Sequence, residues 1–272
     1  MNKLQFVGSG GGLGSPKENY HSNAIIYKEP QNILGIDCGS TFQAAIEDLG
    51  ISINHFDGFY ITHLHADHVG GLEWVGFKRY FSTWPFGQDN PILYGNAELL
   101  DDLWKQTLSG GMESLQGQKN TLSTYFNPHS ISPNGHFHWE DIHFSLIQTV
   151  HVVDDRRIKP SFGLMITLPH PDTGKPGKRI FFTGDTQFCP SQIMTYYEQA
   201  DMIFQDCELA TYPNSVHAQY RELVTLPDNI KNKMWLYHYS GKLPAQWETG
   251  DIDGLETDGF LGFVKKGQIF EL

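Results

Sequence analysis

Thr62-His63-Leu64-His65-Ala66-Asp67-His68-Val69-Gly70-Gly71 places three imidazoles and a carboxylate within one short stretch. It follows residues 56–61, where Phe and Tyr alternate with smaller or polar residues and no proline intervenes, the pattern of a strand that ends where the histidines begin. His63 and His65, two apart in extended backbone, can turn toward one ion. Asp67 falls where a helix through Leu72-Glu73-Trp74-Val75 would start, a favoured place for an Asp, and it carries His68 beside it. That pair supplies donors for a second ion. Nitrogen and oxygen donors without thiolate suit zinc first, with manganese or iron accepted by the same set.

A chain of 272 residues can bury a full core and is most simply one large domain, 1–272. Nineteen Lys and Arg against 31 Asp and Glu give a formal net charge of -12. Such a surface repels a long polyanion, which argues against tRNA and leaves small anions as substrates. Cys38, Cys189 and Cys207 are odd in number and have no C-x-x-C spacing, so they read as buried thiols of a reducing compartment. The opening residues 1–7 lack the apolar core and cleavage site of a signal peptide. No run approaches the roughly 18 apolar residues of a membrane span, so no membrane partner and a cytoplasmic location are expected.

Taken in order, residues 4–7 form a short strand that runs into the glycine stretch 8–15. That stretch lacks the Lys-Ser/Thr of a phosphate loop and the acidic partner of a dinucleotide fingerprint, and reads as a tight loop near the site. Residues 23–28 and 33–36 read as a hairpin ending at Asp37, which either caps a helix over 41–49 or orients a metal ligand. Residues 92–95 read as a strand and 97–108 as an amphipathic helix broken by Ser109-Gly110-Gly111. Phe77, Tyr80, Phe81, Trp84 and Phe86 are more aromatic than a polar loop should be, and suit core, a substrate lid or a subunit contact. Strands over 142–150, 160–166, 179–183, 202–205 and 234–237 follow, with a Pro/Gly turn at 168–178. They deliver His151, Gly184-Asp185-Thr186, Asp206-Cys207-Glu208 and His238. Apolar strands that repeatedly end in His or acid are how open α/β sheets gather ligands along one rim.

These residues resemble those of the metallo-β-lactamase superfamily. The stretch 63–68 is similar to its H-x-H-x-D-H motif, Gly184-Asp185-Thr186 to its bridging-aspartate turn, and His151 and His238 to its remaining histidines. The resemblance implies an α/β fold, a four-layer αββα sandwich of two mixed sheets flanked by helices. It implies one divalent ion on His63, His65 and His151, a second on Asp67, His68 and His238, and Asp185 bridging both. Two such ions, less two carboxylates and one hydroxide, leave about one positive charge for an anionic substrate. Asp67 is then also placed to take a proton from the attacking water.

Within the superfamily the tRNase Z branch is the most similar. Pro160-Ser161-Phe162-Gly163 resembles its serine-glycine signature, and Asp206-Cys207-Glu208 with Ser215-Val216-His217-Ala218 resembles its glutamate and catalytic histidine. The likeness implies that His217 donates a proton to the leaving alkoxide while Glu208 holds its ring, with Asp206 as the other acid in reach. The long basic arm with which that branch grips tRNA has no counterpart in the short turn 169–178. The resemblance therefore shifts to small armless relatives that open cyclic nucleotides, phage anti-Pycsar phosphodiesterases among them. The expected function is a dinuclear-metal phosphodiesterase of 3′,5′-cyclic nucleotides, acting on a small anionic phosphodiester and paired as a homodimer. The competing expectations are a tRNA 3′-processing endoribonuclease, a thioester or lactone hydrolase, and a non-enzymatic binding protein on the same fold.

Overall fold

A computed structural model describes residues 2–14, 19–28, 32–83, 90–170, 172–173, 175–210, 215–239 and 258–272. Its backbone packs as two compact units, one of residues 1–8, 20–133 and 266–272, the other of residues 9–19 and 134–265.

The first unit is built on seven strands in one mixed sheet. They are β1 (Lys3–Phe6), β2 (Ala24–Lys28), β3 (Asn32–Ile36), β4 (Phe56–Tyr60), β5 (Ile92–Asn96), β8 (Asn127–Ile131) and β18 (Ile269–Glu271), ordered β18-β1-β2-β3-β4-β5-β8. A two-stranded ribbon, β6 (Ser114–Leu115) with β7 (Gln118–Lys119), lies between β5 and β8 in the chain. Pairings from β18 to β3 are antiparallel, and those from β3 through β8 are parallel. β2 and β3 form the expected hairpin, with Ala24 opposite Ile36.

Its helices are α1 (Phe42–Asp48), α2 (Ala66–Val69), α3 (Leu72–Thr83) and α4 (Ala97–Asp102), then α5 (Ser109–Met112) and α6 (Leu122–Tyr125). Phe56 and Phe59 stack at 5.1 Å, and Phe42 of α1 meets both edge-on at 5.6 and 5.7 Å. Burying such rings is worth roughly 1.5–3 kcal/mol each, which fixes α1 on the sheet. A Cβ on Gly35 would stand 2.5 Å from the Phe59 ring, so β3 needs glycine there.

In this unit two local expectations differ from the structure and one reading is met in part. The helix after the histidine stretch is two helices: His65 occupies the N-cap of α2, Asp67 sits in its first turn, and α3 begins at Leu72. The aromatic group, read as core, a lid or a subunit contact, lies partly on α3. There Tyr80 is buried and Phe81 is 56 % exposed, while Trp84 and Phe86 lie outside the described residues. Ser109-Gly110-Gly111 does not stop the helix at 108. A π turn over Leu103–Leu108 carries it into α5, because Met112 is buried in the core and its carbonyl accepts from the Tyr125 hydroxyl at 2.7 Å. Packing at that one side chain outweighs the roughly 1 kcal/mol propensity cost of each glycine.

The second unit repeats the pairing pattern. Its sheet holds β9 (His136–Trp139), β10 (Ile142–Gln148), β13 (Phe162–Pro169), β14 (Pro176–Phe182), β15 (Met202–Asp206), β16 (Met234–Tyr237) and β17 (Gly262–Phe263), ordered β17-β16-β15-β14-β13-β10-β9. Pairings from β9 to β14 are antiparallel and those from β14 to β17 parallel. A ribbon of β11 (Val153–Asp154) and β12 (Arg157–Ile158) follows His151. The turn expected over 168–178 is shorter, since β13 and β14 remain paired out to Pro169 and Pro176. Helix α7 (Pro190–Gln199) starts with proline in its first turn and buries Ile193 and Tyr197 with Phe181 and Ile203. Short helices α8 (Tyr220–Leu223) and α9 (Asp228–Lys231) complete the unit. Among the described residues no helix is long and apolar enough to cross a membrane.

Candidate metal centre

In the first unit the site begins where two parallel strands end. Asp37 follows β3 with φ of 63°, a left-handed conformation that an Asp tolerates better than most residues and that turns its carboxylate back over the sheet end. One carboxylate oxygen accepts from the Thr62 N–H at 2.8 Å. The other accepts from the Thr62 hydroxyl at 2.8 Å and from His68 Nδ1 at 2.7 Å. The position of Asp37 is therefore that of a residue orienting a candidate ligand. The start of α1 is served by Thr41 instead, without a side-chain cap.

This network fixes two tautomers. A carboxylate only accepts, so His68 carries its hydrogen on Nδ1 and presents a lone pair at Nε2. Thr62 gives its hydroxyl hydrogen to Asp37 and so accepts from His63 Nδ1 at 3.0 Å, which leaves the His63 lone pair at Nε2 too. His63 Nε2 lies 3.0 Å from His65 Nδ1, and His68 Nε2 lies 3.3 Å from an Asp67 oxygen. The geometry turns His63 toward His65 and His68 toward Asp67, two donor pairs in which His63 and His68 are almost fully buried.

Asn23 clamps the backbone of this stretch. Its amide donates to the Asp67 carbonyl at 3.0 Å while its oxygen accepts from the Gly39 N–H at 2.8 Å. Gly39 lies so close that a Cβ there would be 1.9 Å from the Asp67 carbonyl oxygen. Burial pushes the neighbouring Cys38 thiol well above its ordinary range, with the Asp37 charge adding to the effect, so Cys38 is a packing residue and not a nucleophile.

In the second unit, His151 follows β10, Asp185 follows β14 through Gly184 at φ 60°, Asp206 ends β15, and His238 follows β16 at φ 66°. The glycine stretch holds His238: the His238 N–H donates to the Ser9 carbonyl at 2.9 Å, and the Gly11 N–H donates to the Tyr239 carbonyl. Asp185 Oδ2 lies 3.2 Å from His238 Nε2 and 3.8 Å from His151 Nε2. The backbone of Asp185 is anchored by a hydroxyl chain, Thr149 to Ser161 at 3.1 Å and Ser161 to the Asp185 carbonyl at 3.2 Å. His151 Nδ1 donates to the Val216 carbonyl at 2.8 Å, so its lone pair also sits on Nε2. Desolvation pulls the His151 pKa down to about 4, against the nearby Asp185 carboxylate, and keeps the ring a neutral donor.

His217 Nδ1 donates to Asp206 Oδ2 at 2.8 Å, and the same oxygen accepts from the Thr186 N–H. Ligand atoms of Asp185, Asp206, His217 and His238 all fall within 4.8 Å of one another. Burial lowers the His217 pKa, yet the Asp206 carboxylate more than offsets it and the net shift is upward. Burial raises the Asp206 pKa, and the charge and hydrogen bond of His217 bring it below its ordinary value. The expectation that Glu208 holds His217 needs correction. After Cys207 the chain leaves the sheet to pair with residues 218–220, and the Glu208 carboxylate turns to accept from the Ala210 N–H at 2.8 Å. Asp206 is the acid on the imidazole.

The donor chemistry in both units fits a divalent cation. His63, His68 and His151 each commit Nδ1–H to a protein acceptor and leave Nε2 as the donor, carboxylates stand beside them, and no thiolate takes part. Sequence reasoning passed over Thr62 and Asn23, whose polar side chains are buried and signal their role only through hydrogen bonds.

The family model described as anti-Pycsar protein Apyc1 matches residues 2–270. The anti-Pycsar protein Apyc1 of Paenibacillus sp. (strain J14) is 32% identical over 264 residues, 93% of this chain and 96% of the relative. Among solved structures, the metallo-beta-lactamase fold protein YhfI from Bacillus subtilis superposes with a TM-score of 0.71 at 16% identity, covering 99% of this chain and 98% of that one. Human tRNase Z, short form, superposes with a TM-score of 0.67 at 16% identity, covering 99% and 98%. The chain thus belongs to the anti-Pycsar Apyc1 family, as a metal-dependent hydrolase on the metallo-β-lactamase fold.

Proposed function

We propose that this protein is a dinuclear-metal phosphodiesterase that hydrolyses 3′,5′-cyclic nucleotides, cyclic pyrimidine mononucleotides among them. One ion is assigned to His63, His65 and His151, the other to Asp67, His68 and His238, with Asp185 shared. Bound there, two divalent ions would supply charge to neutralise a phosphodiester and would lower the pKa of a water toward neutrality. Asp67, adjoining His68, is assigned the proton released by that water.

The observation that carries the reading is the His217–Asp206 pair. A P–O bond in a cyclic nucleotide breaks to a poor alkoxide leaving group, which needs a proton as it departs. His217, only 3.8 Å from Asp185 and held by a buried carboxylate that favours its protonated form, suits that donor role. Thioesters and lactones make weaker demands on such a donor. The relatives' anti-Pycsar description agrees with a cyclic-nucleotide substrate, and a net charge of -12 agrees with a small anion over tRNA.

The test is a panel of 3′,5′-cyclic mononucleotides, a precursor tRNA and a lactone, offered to protein loaded with Zn2+ or Mn2+. Conversion of cyclic nucleotides to linear monophosphates, lost in His217→Ala with metal content unchanged, is the expected result. Lactone or tRNA cleavage with every cyclic nucleotide left intact would overturn it.

A further inference from the structure

The second unit carries a polar cavity that its metal-site residues do not line. Strand register builds it. His138 of β9 pairs with His143 of β10, His143 with Thr167 of β13, and Thr167 with Arg179 of β14, so one row crosses four strands on a single face. The next row on that face, through Met165 and Phe181, is buried under α7 together with Ile193 and Tyr197. Helix α7 ends at Gln199, and past it the His-His-Thr-Arg row borders a cavity of about 500 Å³.

Lys175 joins Arg179 and the histidines in its wall, and Asp141 is the acid there. Among the described residues neither the Lys175 ammonium nor the Arg179 guanidinium is in an ion pair. His136, two residues from His138 on β9, adds a third ring, with His136 and His138 centred 5.0 and 4.8 Å from that of His143. Met165, Leu168 and Pro176 supply apolar wall between these groups. Two permanent cations, both exposed to solvent, share this wall with clustered imidazoles and one acid, and Asp201 accepts from the Arg179 backbone N–H at 2.8 Å beside it.

We propose that this cavity is a second, non-catalytic site that binds a phosphate monoester of nucleotide size. Arg179 and Lys175 match a dianionic phosphate, with Arg179 able to bind it through two N–H groups. His138 and His143 add ring N–H donors, and the apolar wall suits a base or sugar face. A metal ion is the poorer occupant: among the described residues, the groups whose ligand atoms lie within 4.8 Å of one another do not include these histidines.

The experiment follows histidine ring signals by NMR in the metal-loaded protein, titrated with a 5′-nucleoside monophosphate, with inorganic phosphate and with the nucleoside lacking phosphate. Assignments come from His136→Gln, His138→Gln and His143→Gln variants. Each phosphate-bearing probe is expected to shift all three rings along one saturation curve, the nucleoside monophosphate at lower concentration than inorganic phosphate, and the nucleoside alone to leave them still. Arg179→Ala should weaken that curve at least tenfold while cyclic-nucleotide turnover stays within twofold. Rings that ignore both phosphates, or an Arg179→Ala curve that matches the wild type, would overturn the proposal. So would rings that respond to added Zn2+ and not to phosphate. Because the readout is binding, it stands apart from whether cyclic nucleotides are the substrate.

Discussion

Replacing Asp37 by Asn changes one oxygen into an NH2 group while keeping the size and the tolerance of a left-handed backbone at φ 63°. The carboxylate accepts three hydrogen bonds, two from Thr62 and one from His68 Nδ1. Asn can satisfy the Thr62 N–H only by pointing its oxygen there, since that backbone donor cannot change. Its NH2 then faces His68 Nδ1, donor against donor, and the imidazole relieves the conflict by moving its hydrogen to Nε2. That switch takes the lone pair from the nitrogen beside Asp67. Loss of such a partner typically costs about 10–100-fold in metal affinity, or roughly 1.4–2.8 kcal/mol. Competition against a chromophoric chelator reads the affinity, and imidazole 15N shifts of the metal-free protein read the tautomer. If Asp37→Asn binds Zn2+ within twofold of wild type with His68 still protonated at Nδ1, the argument that this carboxylate sets the ligand tautomer is wrong. Asp37→Ala is the weaker probe, because it leaves three buried donors without an acceptor, at about 1–3 kcal/mol each, and conflates folding with binding.

Asp206→Asn should lower kcat by about 10²-fold or more with KM little changed, whereas Glu208→Gln should stay within a few-fold, since its oxygen can still accept from the Ala210 N–H; equal losses in steady-state kinetics would refute the assignment of His217 to Asp206. Metal-stripped protein should lose stability as pH falls from 6.5 toward about 4. There the unfolded chain protonates His151 and the folded chain, with this pKa depressed by burial, does not. The change is up to about 3 kcal/mol; urea unfolding of His151→Gln should show a flatter slope over that window. Gly39→Ala should destabilise by about 1–3 kcal/mol and weaken metal binding, because its Cβ would meet the Asp67 carbonyl oxygen at 1.9 Å; an unshifted Tm would show that the backbone of 66–68 is not held as described.

The candidate donors were legible in the sequence because they gather just past the ends of apolar strands, Asp67 and His68 on the short helix that follows β4, and period-two burial makes such strands readable. The resemblance added roles to them. What the sequence left open, such as Asp37, turned on local geometry. Asp206 and Glu208 are two apart and equivalent as text, and only the chain's departure from β15 at Cys207 sends one carboxylate to His217 and the other to Ala210. Asn23 and Thr62 were invisible because a buried amide or hydroxyl has no periodic signature; they matter through one or two hydrogen bonds to a distant stretch. The helix through Ser109-Gly110-Gly111 misled for the reverse reason: local propensity said stop, and the burial of Met112 decided otherwise.

Both units put their acids at the same topological place. In the first, pairing changes from antiparallel to parallel across β3, and Asp37 and His63 lie just beyond the carboxyl ends of β3 and of its parallel partner β4. In the second the change falls across β14, and Asp185 and Asp206 mark the ends of β14 and its parallel partner β15. Beyond such a switch the connections leave on different sides and open a crevice at the strand ends. A residue just past a strand end must turn sharply out of the sheet, and Asp37 and Gly184 at the switches and His238 after the parallel strand β16 adopt positive φ. For the non-glycine residues that conformation costs of order 1–3 kcal/mol, and it persists only if surrounding bonds fix it. Asp37 is fixed by Thr62 and His68, and His238 by Ser9 and the Asp206 carboxylate 3.4 Å from its Nδ1. The strained positions are therefore held by the same polar contacts that orient the candidate ligands, so relaxing the backbone and disorienting the donors are one event.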